Sequence, residues 1–113
     1  MTDLTSVPEF DEVTAFIKAR VEAMHTPASQ WADLARLAIQ GLPHDAYRLA
    51  ELEARINAIR TELRRVVLAA SEHFSEEQLN DLRKRVGMSK TAWRAAKTKR
   101  AVTLKHGFSL VIY

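Results

Sequence analysis

The chain predicts a mostly α single domain: a helical scaffold around one long, heptad-patterned central helix, then two short helices and a short C-terminal β-hairpin. Three observations carry this expectation. A length of 113 residues fits one hydrophobic core and no second one. Apolar residues recur at helical spacing over most of the chain. Two β-prone runs flanking His106-Gly107 close the sequence. With 47% hydrophobic and 27% charged residues, the composition is that of a folded globular protein.

The first helix is expected to start near Ser6, because Ser6-Val7-Pro8-Glu9 has capping-box spacing with proline in the first turn. Phe10, Val13, Phe16, Ile17, Val21 and Met24 form its apolar stripe, so it should end near Met24. Thr26-Pro27 reads as the N-cap and first position of a second, short helix carrying Trp31, Leu34, Leu37 and Ala38, stopped by Gly41 and Pro43. From about His44 to Phe74 there is neither Gly nor Pro. Leu49, Leu52, Ile56, Ile59, Leu63, Val66 and Ala70 alternate spacings of three and four, a heptad seam that favours side-by-side packing with a left-handed supercoil. Packing on the chain's own helices is the expected use of this seam. A homodimer is the alternative, although a parallel one would place Arg48 near Glu53 but Arg55 near Arg60, an attraction against a repulsion.

Ser75-Glu76-Glu77-Gln78 is a second capping box and opens a helix bearing Leu79, Leu82 and Val86, which Gly87 ends. Ser89 then caps a last helix expected to reach about Arg100, with Trp93 and Ala96 inward. The domain thus divides into a helical scaffold over 1–74, with its long helix at 44–74, and a basic segment over 75–113.

Charge separates these parts. Met1 to Asp81 holds fourteen acidic residues against eight Lys and Arg, a balance of −6, whereas Leu82 to Tyr113 holds nine Lys and Arg and no acid. A field of one sign on one part of a fold attracts a polyanionic partner. Chemistry of other kinds lacks a motif. The absence of cysteine removes disulfides, thiolate nucleophiles and cysteine-based zinc sites. His25, His44, His73 and His106 share no ligand spacing, and neither a glycine-rich phosphate loop nor a nucleophile elbow is present. No catalytic residue, metal, cofactor or small-molecule substrate is expected. The N-terminus lacks the pattern of a secretory signal, and no window approaches the roughly 20 apolar residues of a membrane span, so a cytoplasmic location without membrane contact is the expectation.

The segment from Leu79 to Val102, LNDLRKRVGMSKTAWRAAKTKRAV, resembles the helix-turn-helix of DNA-binding proteins. Counted from Leu79, apolar Leu82, Val86 and Met88, turn Gly87, and inward Trp93 and Ala96 fall where such families place those residue types. Arg83 departs from the pattern, since a small residue is usual there. The resemblance implies that the last helix enters the major groove of double-stranded DNA and presents Ser89, Lys90, Thr91, Arg94, Lys97 and Thr98. Lys90, Thr91 and Arg94 would read bases, Ser89 would face phosphate at the helix start, and Arg83, Lys84, Arg85, Lys97, Lys99 and Arg100 would hold phosphates. The hairpin looks like the wing of a winged helix with Lys105 and His106 at its tip, its apolar Leu110, Val111, Ile112 and Tyr113 closing the core or pairing with another chain.

These features lead to a small transcriptional regulator or recombination accessory factor of the phage or mobile-element kind. The rival reading is a non-enzymatic interaction module, such as a phage inhibitor of a host protein or an anti-CRISPR protein, docking on a protein or nucleoprotein. In a third reading the heptad helix zips onto a partner helix and the basic segment only solubilises the fold.

Overall fold

A computed structural model describes residues 9–104 of the chain. Four helices follow in order: α1 (Phe10–Ile39), α2 (Ala46–His73), α3 (Glu76–Arg85) and α4 (Lys90–Ala96). The mostly α class is as the sequence predicts. The long helices form an antiparallel hairpin, because cross-contacts descend along α1 as they ascend along α2: Arg20 pairs with Glu62, Trp31 Nε1 donates to Glu53 Oε1 at 3.3 Å, and Arg48 Nη2 donates to Gln30 Oε1 at 3.0 Å. The described residues measure 51 × 25 × 20 Å, an elongated shape set by helices of 30 and 28 residues.

The first two expected helices are one. α1 runs unbroken through Pro27, which lies inside it rather than at its first position. Proline costs a helix interior about 3 kcal/mol, through the missing N–H and the ring's clash with the preceding turn. The offset lies in the stripe Val13, Ile17, Val21, Met24, Ala28, Trp31 and Ala35, which stays in helical phase across the proline and is buried along its whole length, as is Pro27 itself. Burying a large apolar side chain is worth about 1.5–3 kcal/mol, so one continuous face outweighs one defect. The expected start near Ser6 lies outside the described residues; the helix is entered from Glu9, whose side chain makes no capping bond.

α1 ends as its glycine requires. Gly41 has φ 69°, its N–H donates to Ala38 O at 3.1 Å, and Leu42 N donates to Leu37 O at 2.9 Å, which together make a Schellman closure. Asp45 then caps α2 by accepting from Arg48 N at 3.0 Å.

The heptad seam faces α1, with one shift. Leu49, Leu52, Ile56, Leu63, Val67 and Ala70 are buried, while Ile59 and Val66 are only half-buried. Leu49 and Val67 are separated by five turns of a 3.6-residue helix, so the inward line of a straight helix drifts off a strict seven-residue repeat and reaches Val67 in place of Val66. The seam is thus taken up within the chain, as expected.

α3 and α4 pack across the end of this hairpin where α1 begins and α2 finishes. Phe10 and Phe74 meet edge to face with centroids 5.4 Å apart. Arg85 lies over the Phe10 ring at 5.3 Å, pairs with Asp81 at 3.1 Å and approaches Asp11 at 4.0 Å.

The last helix is shorter than expected, ending at Ala96 with Lys97 as its C-cap. Side chains of α2 take over the following backbone: Arg64 Nε donates to Lys97 O at 3.2 Å, Arg60 Nη2 to Arg100 O at 3.4 Å, and Asn57 Nδ2 to Val102 O at 3.2 Å. Asn57 Oδ1 also accepts from Val102 N at 2.8 Å, so one side-chain amide satisfies both polar groups of a residue only 2% exposed. Residues 97–102 therefore run back along α2 toward its start. Val102 and Thr103, expected in a strand, form none, and no strand occurs among the described residues. The rest of the expected hairpin, with its His106-Gly107 turn and the run to Tyr113, lies outside the described residues.

Candidate nucleic-acid interface

Local chemistry builds α3 and α4 as the sequence implies. Ser75 Oγ accepts from Gln78 N at 3.2 Å while Gln78 Oε1 accepts from Ser75 N at 3.0 Å, a complete capping box. Gly87 has φ 76°, with Met88 N on Arg83 O at 3.0 Å and Gly87 N on Lys84 O at 3.2 Å, so the chain leaves α3 by the same closure that ends α1. Ser89 Oγ accepts from Ala92 N at 3.0 Å and starts α4.

All five inward positions of the helix-turn-helix count are buried: Leu82, Val86, Met88, Trp93 and Ala96. Trp93 is thereby a core residue, and Trp31 is another. Arg83, the departure from the pattern, is half-buried, and its Nη1 donates to Met88 O at 2.8 Å. In place of a small residue that lets helices close up, an arginine reaches around the turn and ties it to α3.

The remaining candidate residues divide by what they touch. Ser89, Lys90, Thr91 and Arg94 lie exposed on α4 or at its cap, and Lys97, Lys99 and Arg100 continue this exposed surface beyond the helix. Lys84 is exposed on α3. None of Lys84, Lys90, Arg94, Lys97 and Lys99 forms an ion pair among the described residues. Arg85 differs, because it pairs with Asp81 and approaches Asp11. Thr98 sits outside the helix, and its hydroxyl accepts from Arg100 N at 3.2 Å. Lys105 lies outside the described residues.

Two residues on α2 join this surface without belonging to the basic segment. Arg60 and Arg64, one turn apart, line a cleft with Thr98, Lys99 and Arg100. Their sequence signal is the lack of any Asp or Glu three or four residues away, where Arg48 has Glu51.

A groove between α3 and α4 is lined by Trp93, by Arg83, Lys90, Arg94 and Lys97, and by Glu76. Among the described residues no three His, Asp or Glu side chains come together as a metal site, and no helix is long and apolar enough to cross a membrane. No family model, curated protein or solved structure matches this chain.

Proposed function

We propose that the protein binds double-stranded DNA through α3 and α4, with α4 in the major groove, as a small transcriptional regulator or recombination accessory factor of the phage or mobile-element kind. One observation carries the reading: the pair buries its five pattern residues on one side and presents Lys90, Arg94 and Lys97 on the other with no carboxylate partner. Lys90, Thr91 and Arg94 then meet base edges, and Ser89, Lys84, Lys97, Lys99 and Arg100 meet phosphates. Arg83 acts by holding the turn that sets the angle between the two helices.

A second reading rests on the opposite end of the molecule. Ile39, Leu42 and Tyr47 are 77%, 47% and 83% exposed around the α1–α2 connection, an apolar tip that favours a protein partner. An inhibitor docking on a host protein would use this tip and leave the basic surface for a nucleoprotein's phosphates.

Binding of the full chain to random-sequence duplex across a salt series separates the readings. Phosphate contacts from the four cations Lys84, Lys97, Lys99 and Arg100 give a slope of log affinity against log salt of roughly −4. Absence of duplex binding at low salt, with retained binding of a partner that Tyr47→Ser abolishes, establishes the second reading over the first.

A further inference from the structure

We propose that the cleft between α2 and the chain following α4 is a binding site for a phosphate group, built by Arg60 and Arg64 together with Lys99 and Thr98. It deepens the DNA reading by extending the interface onto α2, and rests on that reading only for the source of the phosphate, which we assign to the duplex backbone.

The cleft is lined by Asn57, Thr61, Arg100 and these four residues, and among the described residues no acidic side chain lines it. Arg60 and Arg64 are half-buried, and among the described residues neither meets a carboxylate. Each spends one donor on a backbone carbonyl, Arg60 on Arg100 O and Arg64 on Lys97 O. A guanidinium has five donors in a rigid fork, so each keeps most of its hydrogen-bonding capacity for another acceptor while its position is fixed by the bond already made. Lys99 adds a third positive charge. Thr98 Oγ accepts from Arg100 N, which leaves the hydroxyl hydrogen to donate outward. Thr61 contributes shape alone, because its hydroxyl donates to Asn57 O at 2.9 Å.

Arg60, Arg64 and Lys99 lie together with no carboxylate among the described lining residues, so they repel one another, and a bound anion relieves this. The donor set selects which anion. Two forks, an ammonium and a hydroxyl present N–H and O–H groups from several directions, which suits the multiple oxygens of a phosphate over a spherical halide. The Asn57 clamp on Val102 holds the segment against α2, so the site is assembled before ligand arrives.

The test has two arms. In the first, inorganic pyrophosphate is titrated into the full chain at constant ionic strength while the Nε–Hε resonances of Arg60 and Arg64 are followed. Saturable shifts are expected, unchanged in Lys90→Gln/Arg94→Gln and, read at Arg64, lost in Arg60→Gln/Lys99→Gln. Lys99→Gln alone, at an exposed position with no role in the fold, is expected to weaken binding several-fold and guards against loss of structure in the double variant. Shifts that are linear and equal with chloride overturn the site whatever the DNA result. In the second arm, Arg60→Gln/Lys99→Gln is expected to lower the duplex salt slope by about two. Duplex binding with an unchanged slope overturns the assignment to backbone phosphate while leaving the α4 reading intact. Saturable pyrophosphate binding by a chain that binds no duplex supports the site and removes the DNA reading.

Discussion

Asn57→Ala should free the chain beyond α4 from α2. In the native structure the amide of Asn57 accepts from Val102 N at 2.8 Å and donates to Val102 O at 3.2 Å, and Val102 is buried. Each such bond contributes about 1 kcal/mol net, and a buried group left unpaired costs about 1–3 kcal/mol. If the segment stays in place, the two unpaired groups of Val102 cost about 2–6 kcal/mol. If it detaches, the backbone recovers water but the burial of Val102 is lost, which is about 2 kcal/mol. The cheaper route limits the loss to about 2 kcal/mol, equivalent to a fall in Tm of about 8 °C for a domain of this size. Urea denaturation followed by circular dichroism measures the loss, and amide exchange at Val102 tells the routes apart. Asn57→Asp keeps the acceptor for Val102 N but sets a carboxylate oxygen against Val102 O, so it should recover little of the loss. A stability change under about 0.5 kcal/mol for Asn57→Ala, with exchange at Val102 unaltered, would refute the clamp.

Other perturbations address the scaffold and the turn. Leu63→Ala removes a fully buried side chain between α2 and α1 and should cost about 2–5 kcal/mol in urea denaturation. Gly87→Ala meets no atom within 4 Å of the added carbon, so its cost is that of a φ of +76° alone, about 1–2 kcal/mol by thermal melting. Arg83→Ala loses a charge-assisted bond to Met88 O and should cost about 1.5 kcal/mol, with faster amide exchange at residues 87–89 as its local signature.

Most of the architecture was legible because helix signals are local. The capping residues Ser75 and Ser89 and the stopping glycines Gly41 and Gly87 all perform as their residue types imply. Pro27 was misread for the converse reason: its local preference is for a helix start, and only the long stripe on both sides of it, buried against α2, overrides that preference. The early end of α4 depends on Asn57, Arg60 and Arg64, which are more than thirty residues away in sequence, so no local pattern announces it. Within the candidate site, the exposure of Lys90, Thr91 and Arg94 followed from helical periodicity around Trp93. The tying of Arg83 to the turn and the approach of Arg85 to Asp11 depend on how the chain folds back on itself, whereas the tighter pair of Arg85 with Asp81 is a local four-residue spacing. A segment rich in Lys and Arg therefore overstates its free charge, and the two arginines of α2 restore what Arg85 subtracts.

The most direct test compares the full chain with Arg94→Glu/Lys97→Glu for binding to duplex DNA at about 50 mM salt, where backbone contacts are strongest. Both side chains are exposed, and circular dichroism should show an unchanged fold. The reading of α4 as the DNA-contacting helix predicts a loss of about 100-fold or more and a salt slope smaller by at least about two. Equal affinity of the two proteins, or no binding by either, would contradict it.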